Sequence, residues 1–537
     1  MINPARYREK TPAIAEKRSK TKRMCPKVSS LTDIENEDFL RHNIERAAAT
    51  KVYLPTFAQL KDPSLIPDSV KDQLKGVDKE EVNPLNLFRF GWYNGEEGFN
   101  DVPESFELPS VLTGVPCKIV ILPGAKMPSN THKSGPAYSN FVSKIVTGKV
   151  DITQHRVMFP STGNYCRGGV LISKMLGANP LAVLPAKMSR ERFEYMEKLE
   201  AEIIKTTGQE SNIFNVVDNM GAQDDVVVCN QFTDMANPIF HYACTGDAMR
   251  RVWENMVHID ELESDVEEAD FETELNLTGC FFASGSSGTL ASYQYLKQFY
   301  PNILLGVGES VEGPILFENG VGATKRSRIE GTTDKIVPLV FNVREMDFLA
   351  SMFSDDVLRL FRLFNEPMGH EYLKSIGVPQ ETIDILHYFG LSSCANIIGC
   401  IKMAKYYELN ENDVLFTVAT DSNIMYFSVL EELRAKSEYT PTQAAVDFHS
   451  TLIYQRTDYS TELRYHDLRR IHNLKHFTWV EQHHIPVDTL TQQWYRPNWF
   501  KCRLELWHKY DRLIAEFNKE SGLMDLYDDD YQRSLLQ

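Results

Sequence analysis

A turn rich in glycine and serine, near the middle of the chain, has the composition of a phosphate-binding loop. It reads Gly285-Ser286-Ser287-Gly288-Thr289, follows an apolar run at residues 280–283 and precedes a helical pattern at residues 290–300. Small residues let backbone N–H groups approach an anion closely, and the N-terminus of a helix adds partial positive charge. The turn is therefore a candidate phosphate site, with a purely structural turn as the alternative.

A second polar turn has the same relation to its neighbours. Ser161-Thr162-Gly163-Asn164 follows an apolar run at residues 156–159 and precedes a helical pattern that begins at Tyr165. Its N–H groups and hydroxyls could bind a carboxylate at the start of the helix. A plain helix N-cap is the structural alternative.

Lys133 is the candidate nucleophile. It lies in the polar loop NTHKSG at residues 130–135, which leads into a helical pattern. A lysine whose amine is desolvated, or flanked by cationic groups that lower its pKa, can form a Schiff base with a carbonyl compound. An exposed lysine without a chemical role is the alternative.

Strands and helices must bring these three loops together. From about residue 115, short apolar runs alternate with longer amphipathic runs, which is typical of an α/β domain with a parallel sheet. Ligands of such sheets bind where strands end and loops lead into helices. The expected strands are residues 117–122, 156–159, 181–184, 226–229 and 303–307, and the expected helices are residues 137–146, 165–176 and 189–205.

The order of these segments resembles the cysteine synthase-like, fold-type II family of pyridoxal-phosphate (PLP) enzymes, which includes cystathionine β-synthase, threonine dehydratase and tryptophan synthase β. The stretch QFTDMANPIFHYACTG at 231–246 resembles a cysteine synthase segment with QF, NP, H and TG in that order. SRIEGTTDKIVP at 327–338 resembles the family's glycine-bearing cofactor loop, and GLSSCANI at 390–397 resembles its pyridine-nitrogen segment. The resemblance covers roughly residues 105–425 and implies two three-layer αβα subdomains with the cofactor in the cleft.

The resemblance also implies a role for each candidate residue. Lys133 would form the Schiff base with PLP and later move the α-proton as general base. Asn164 would hydrogen-bond the 3′-oxygen of the cofactor, Gly331 would lie in the loop over its face, and Ser392 would meet its pyridine nitrogen. The phosphate would be bound by Gly285, Ser286, Ser287, Gly288 and Thr289, and the substrate carboxylate by Ser161, Thr162, Gly163 and Gln231.

The implied reaction is β-elimination or β-replacement on a serine- or cysteine-like amino acid through an aminoacrylate, with sulfide or a thiol as the second substrate of replacement. A neutral hydroxyl at Ser392 would leave the pyridine nitrogen largely unprotonated, which suits this chemistry. Two alternatives stay open. One is a dehydratase or desulfhydrase that releases a 2-oxo acid, and the other is a PLP-binding regulatory paralogue without catalysis.

Two departures from the family bear on the substrate. The lysine motif THKSGPA looks more like the SHK form of tryptophan synthase β than the SVKxR form of cysteine synthase. Tyr165 stands where the family usually has a small threonine after the asparagine, and its bulk bears on the size of the substrate pocket.

Composition restricts the partners. A formal net charge of −17 repels polyanions, so nucleic acid is not an expected partner. No apolar run approaches the roughly 20 residues of a membrane span, and no metal-ligand spacing is found. The nine cysteines form no CxxC pair and are expected to be reduced thiols of a cytoplasmic protein.

The expected organisation has four parts. A basic, disordered arm at residues 1–50 precedes an N-terminal extension at 51–104, and an organelle-import or nuclear signal is the alternative interpretation of the arm's basic residues. The PLP-binding catalytic core follows at 105–440, with a small subdomain at about 138–245, and a helical C-terminal extension at 441–537 ends the chain. This last part is rich in tryptophan and too apolar for a free tail, so it is expected to pack on the core or on a second subunit of a homodimer.

Overall fold

Two β-sheets organise the residues that the computed structural model describes, which are 29–161, 163–206, 211–264, 275–318, 327–332 and 336–537. The strands are β1 (Phe106–Leu108), β2 (Lys118–Pro123), β3 (Arg156–Pro160), β4 (Asn179–Pro185), β5 (Glu202–Thr206), β6 (Val226–Val228), β7 (Asn276–Ala283), β8 (Leu304–Ser310), β9 (Phe348–Met352), β10 (Asp413–Ala419) and β11 (Ser460–Glu462). Over these residues, the large sheet has the order β1-β2-β10-β7-β8-β9-β11 and the small sheet the order β5-β4-β3-β6. The edge strands β1 and β11 pair antiparallel with their neighbours, and the other pairings are parallel.

Helices cover both sheets, which is why the central strands are apolar along almost their whole length. The α-helices of the described residues are α1 (Glu37–Thr50), α2 (Phe57–Lys61), α3 (Asp68–Leu74), α4 (Ser110–Thr113), α5 (Ser134–Ile145), α6 (Asn164–Met175), α7 (Arg190–Lys198), α8 (Ser211–Gly221), α9 (Ala236–Phe240), α10 (Gly246–Ser264), α11 (Ala291–Leu296), α12 (Ile315–Glu318), α13 (Ser354–Asn365), α14 (Pro367–Ser375), α15 (Gln380–Ile385), α16 (Leu391–Tyr407), α17 (Phe427–Lys436), α18 (Pro441–Phe448), α19 (Tyr465–Lys475), α20 (Val487–Tyr495), α21 (Trp499–Leu504), α22 (Trp507–Glu520), α23 (Leu523–Tyr527) and α24 (Asp530–Ser534). The expected α/β architecture with two sheets and added C-terminal helices is confirmed.

One expected helix is too long. The pattern over residues 189–205 predicts a single helix, but α7 ends at Lys198 and Glu202–Thr206 forms β5. Glu200 adopts a positive φ of 52° that turns the chain, and Ile203 and Ile204 then pair with Ala182 and Val183 of β4. The β-branched isoleucines favour an edge strand over a continued helix.

Part of the expected N-terminal arm is helical. The prediction of disorder over residues 1–50 is wrong for α1, whereas residues 1–28 lie outside the described residues. Asn36 caps α1 by accepting hydrogen bonds from the Asp38 and Phe39 N–H groups. Asn43 is fully buried and donates to the carbonyls of Ile145 and Val150. These contacts dock α1 on the small subdomain.

The segment after residue 440 is part of the core. It supplies the edge strand β11 of the large sheet, and the buried Trp479 donates its Nε1 hydrogen to the Val337 carbonyl at 2.8 Å. It also contacts the N-terminal extension, where the Tyr53 hydroxyl donates to Asp529 at 2.6 Å and the Phe57 N–H to Asp511 at 2.6 Å. The N-terminal extension and the C-terminal segment therefore pack together.

Of the nine cysteines, seven agree with the expected reduced thiols, one disagrees, and Cys25 lies outside the described residues. Cys502 is disulfide-bonded, so the expectation is wrong there. In the part of the chain that the structure describes, no helix is both long and apolar enough to cross a membrane. The seven free, buried cysteines are Cys117, Cys166, Cys229, Cys244, Cys280, Cys394 and Cys400.

Candidate functional site

The loops that follow the parallel strands converge at one place. Lys133 follows β2, and its Nζ donates a hydrogen bond of 3.1 Å to the Ser286 Oγ in the loop after β7. The Thr131 hydroxyl beside the lysine donates to the Thr420 carbonyl, which follows β10, at 2.9 Å. The candidate nucleophile and the candidate phosphate loop are thus neighbours, as the carboxyl-end rule for parallel sheets predicts.

Close backbone packing holds Lys133 at the start of α5. A Cβ on Gly135 would lie 2.0 Å from the Phe240 ring, and a Cβ on Gly168 would lie 2.9 Å from the Ser134 Cα. Only glycine lets α5 approach α9 and α6 this closely. The position of Lys133 therefore depends on packing within the small subdomain.

The phosphate loop is braced by a buried asparagine. Asn237 is fully buried, and its Nδ2 donates to the Gln231 carbonyl at 2.7 Å and to the Ser286 Oγ at 3.2 Å. A Cβ on Gly288 would lie 2.1 Å from the Asn237 Oδ1, so the loop has no space for a side chain there. Ser287 has a positive φ of 61°. The tight loop and the Gln231 segment form one unit.

Two histidines beside Lys133 are neutral. His132 and His241 are buried, with ring centroids 5.4 Å apart. Burial, together with the nearby charge of Lys133, lowers the pKa of His132 to about 3, and burial holds the pKa of His241 well below its usual value. His132 Nδ1 donates to the Thr420 carbonyl at 3.1 Å, so its Nε2 is free to accept from the Thr289 hydroxyl at 3.4 Å. His132 thereby links β10 to the phosphate loop.

The candidate carboxylate turn lies next to Gln231. The Gly163 N–H donates to the Ser161 Oγ at 3.0 Å, and Gly163 has a φ of 142° that a residue with a side chain rarely adopts. The Gln231 Nε2 donates to the Pro160 carbonyl at 3.3 Å. Thr162 lies outside the described residues. The amides that follow the turn open α6, a 12-residue helix.

The bulk of Tyr165 is taken up by the core of the small subdomain. Its side chain is 1% exposed, its hydroxyl accepts a hydrogen bond from the Asn140 Nδ2 at 2.5 Å, and its ring lies 5.8 Å from that of Phe159. Tyr165, which stands where the family usually has a threonine, therefore packs into this core.

The residues expected to face the cofactor ring also lie together. The Ser392 hydroxyl is 2.5 Å from the Thr420 Oγ1, and a Cβ built on Gly331 would lie 3.7 Å from the Ser392 Oγ. Gly331 has a positive φ of 88°. The Asn164 Nδ2 donates to the Asp421 carboxylate at 2.7 Å. We call Ser392, Gly331 and Asn164, which are expected to face the cofactor ring, the ring site.

Sequence reasoning missed the charged residues behind the ring site. Arg192 is fully buried and forms ion pairs with Glu330 at 3.0 Å and with Asp421 at 3.6 Å. Burial raises the pKa of Asp421 and of Glu330, and Arg192 opposes both shifts. Asp421 comes directly after the apolar run of β10, so the carboxyl-end rule could have identified it. No such sequence pattern identifies Arg192, because it lies within α7 and not after a strand.

A phosphate-bearing ligand fits these residues. Among the described residues, the buried Oδ1 atoms of Asn164 and Asn237 and the buried Ser287 Oγ have no hydrogen-bond partner. Buried polar atoms are almost always paired, so three unpaired atoms beside Lys133 and a tight glycine loop indicate a site for a polar ligand. PLP has a phosphate for the loop, an aldehyde for the lysine and a ring oxygen for Asn164.

Comparison with known proteins gives distant relatives over the central region. The chain is 24% identical to cystathionine beta-synthase of Saccharomyces cerevisiae over 310 residues, which covers 56% of this chain and 55% of the yeast protein. It is 25% identical to cysteine synthase 3 of Caenorhabditis elegans over 288 residues, or 53% of this chain and 72% of that protein. No family model matches the chain. The match thus spans only about half the length of the yeast relative.

The solved structures agree on the fold. Cysteine synthase of Entamoeba histolytica superimposes with a TM-score of 0.50 and 19% identity, over 65% of this chain and 93% of that one. The chain therefore has the architecture of fold-type II PLP enzymes. Its relatives carry the names cystathionine beta-synthase and cysteine synthase, which confirms the resemblance to the cysteine synthase-like family, here with N- and C-terminal extensions. These relatives and structural neighbours are PLP enzymes, in agreement with the expected cofactor.

Proposed function

We propose that this chain is a PLP-dependent lyase or transferase that eliminates or replaces the β-substituent of a serine- or cysteine-like amino acid. Sulfide or a thiol is the second substrate if replacement is the reaction. The contact between the Lys133 Nζ and the Ser286 Oγ carries the proposal, because it joins the nucleophile to the phosphate loop across 153 residues of sequence. The names of the relatives support the same reaction type.

The binding roles follow from the placement of each group. Lys133 would hold the cofactor through its Nζ, and Gly285, Ser286, Ser287, Gly288 and Thr289 would bind the phosphate through their N–H groups and hydroxyls. Asn164 and Ser392 would contact the ring oxygen and the ring nitrogen, and Gly331 would leave the face of the ring uncovered by a side chain. Ser161, Thr162, Gly163 and Gln231 would bind the substrate carboxylate at the start of α6.

The reaction requires one group of the protein to move the α-proton of the substrate, and the neighbouring groups must not exchange protons with the substrate. When bound, PLP withdraws electrons from the α-carbon of the substrate. Lys133, with its Nζ beside the phosphate loop, would take the α-proton and return it at the end of the reaction. The neutral rings of His132 and His241 next to it neither supply nor remove a proton near pH 7. This leaves Lys133 as the proton carrier at this end of the site.

A substrate screen tests the proposal. Purified protein is offered O-acetylserine, O-phosphoserine, serine, threonine and cysteine, with and without sulfide, and pyruvate, 2-oxobutyrate and thiol are measured separately. We expect turnover of at least one three-carbon substrate that is lost in Lys133→Ala. Release of 2-oxobutyrate from threonine alone would instead identify a dehydratase. PLP binding without turnover of any substrate would favour the regulatory paralogue.

We further propose that the protein is a cytoplasmic homodimer. Exposed aromatic side chains of the C-terminal segment support an interface there, since Tyr465 is 60% and Tyr495 63% exposed. The seven free, buried cysteines support a reducing compartment, whereas the disulfide at Cys502 is evidence against it. Sedimentation equilibrium measures the first property and cell fractionation the second. A monomer at micromolar concentration would contradict the dimer.

A further inference from the structure

Four polar side chains form a buried cluster behind the ring site, which we name the Asp421 cluster: Arg192, Glu330, Asp421 and Tyr426. Arg192 and Asp421 are fully buried. The Arg192 Nη2 donates to the Tyr426 hydroxyl at 2.7 Å, and that hydroxyl donates to the Asp421 Oδ2 at 2.6 Å. The cluster joins α7 of the small subdomain to the end of β10 in the large sheet.

Stability alone is a weak explanation for this cluster. Desolvation of buried charges costs several kcal/mol for each ion, and replacing a buried ion pair with apolar residues of similar volume is often neutral or stabilising. The contacts of Asp421 suggest what its position provides. Its Oδ2 accepts from the Asn164 Nδ2 at 2.7 Å, and its Oδ1 lies 3.3 Å from the Thr420 Oγ1, which itself contacts Ser392.

The Asp421 carboxylate has little freedom to move. A Cβ on Gly390 would lie 2.0 Å from its Oδ1, so the start of α16 closes one side. Tyr426 and Arg192 hold the Oδ2 side. The direction of the Asn164 contact is therefore fixed by the backbone and by the side chains of Arg192 and Tyr426.

An ionised carboxylate accepts hydrogen bonds and donates none, whereas an asparagine amide has a donor end and an acceptor end. The amide of Asn164 must therefore turn its NH2 group toward Asp421. One N–H remains for a ligand, and the Oδ1, which has no partner in the described residues, is held on the opposite side. Without the carboxylate, both orientations of the amide become possible.

We propose that Asp421 is a positioning residue for the cofactor ring and that it acts by fixing the orientation of the Asn164 amide. Arg192 and Tyr426 keep its carboxylate in place. The inference rests on the proposed PLP-dependent function and assigns no contact between Asp421 and the cofactor itself.

The first test is Asp421→Asn, measured by the dissociation constant of PLP from reconstituted apoprotein and by the absorbance maximum of the bound cofactor. The new amide can donate as well as accept, so it no longer dictates how Asn164 turns. We expect PLP to bind about tenfold more weakly, the loss of one charge-assisted hydrogen bond, together with a shifted absorbance maximum. Asp447→Asn is the matched control, because Asp447 is 1% exposed and its carboxylate accepts a hydrogen bond from the Gln443 Nε2 away from the site.

A double-mutant cycle separates positioning from a general loss of stability. In the Asn164→Ala background, Asp421→Asn should weaken PLP binding less than about threefold, because the group through which Asp421 acts is gone. A further tenfold loss in that background would overturn the inference. If Asp421→Asn does not fold, Tyr426→Phe replaces it in the same cycle, since it removes one of the two groups that hold the carboxylate.

The outcomes also separate this inference from the proposed function. If the wild-type chain binds no PLP, the proposed function fails and the inference fails with it. If the wild type binds PLP, and Asp421→Asn binds it with an unchanged dissociation constant and absorbance maximum, only the inference is overturned.

Discussion

Gly288→Ala should remove PLP from the purified protein while the chain still folds. The added Cβ would lie 2.1 Å from the Asn237 Oδ1 and 2.6 Å from its Cγ, so Asn237 has to move. Asn237 is fully buried and makes two hydrogen bonds, to the Gln231 carbonyl and the Ser286 Oγ. Weakening both costs about 1–3 kcal/mol, and overpacking adds about 1–3 kcal/mol.

Most of this cost should fall on cofactor binding. A loop without ligand can relieve the contact by shifting, whereas a loop closed on a phosphate cannot. If about 2 kcal/mol falls on binding, the PLP dissociation constant rises about 30-fold. The assay is the PLP content after gel filtration, measured by absorbance after alkaline release, beside the thermal unfolding of the apoprotein.

Gly377→Ala is the control for destabilisation alone. Gly377 has a φ of 92°, and a Cβ there meets no atom within 4 Å, so the change adds backbone strain of roughly 1 kcal/mol in open space. It should retain full PLP occupancy. The same occupancy in Gly288→Ala would refute the reasoning and remove residues 285–289 from the cofactor site.

Three further predictions concern the nucleophile, a buried acid and the C-terminal segment. Lys133→Ala should lose the absorbance band of lysine-bound PLP and all turnover at an unchanged apoprotein melting temperature, whereas Lys126→Ala should keep the band; a retained band in Lys133→Ala would mean that another lysine binds the cofactor. Burial raises the pKa of Glu309 from 4.5 to about 7, so the folded state holds a proton that the unfolded chain releases, and stability falls as pH rises through this window. Glu309→Gln should therefore gain stability relative to the wild type between pH 5 and pH 8, by on the order of 2–3 kcal/mol in urea unfolding, and a constant difference across that range would contradict it. A chain that ends at residue 440 lacks β11 and leaves the β9 edge open, so we expect it to aggregate; a soluble, PLP-binding product would show that the segment is dispensable.

The meeting of Lys133 with the phosphate loop could be predicted because each of them follows an apolar run that forms a parallel strand. Lys133 and Gly285 follow β2 and β7 of the large sheet, and the rule for parallel sheets brings such loops to one edge. Ser161 follows β3 of the small sheet, so the rule alone does not place it beside them. No three-dimensional contact was needed for that step. The resemblance then supplied the roles.

The parts that could not be predicted depend on distant partners. Arg192 lies in a helix like any surface arginine, and only folding reveals Glu330 and Asp421 as its neighbours. The position of α1 depends on hydrogen bonds from Asn43 to the carbonyls of Ile145 and Val150, and the local sequence does not indicate these partners. Strand β5 forms because β4 offers it an edge, although its residues continue a helical pattern.

The packing of residues 53–58 against the C-terminal segment sets an order of events during synthesis. The Phe57 and Ala58 N–H groups at the start of α2 need the Asp511 carboxylate, and Tyr53 needs Asp529, so these groups stay without these partners until residues 511–529 have been synthesised. The small sheet, built from residues 156–228, can assemble from consecutive segments much earlier. Because long-range pairing slows folding, we expect the nascent protein to hold a folded small subdomain next to an unfinished large sheet, whose β9 edge stays open until β11 pairs with it.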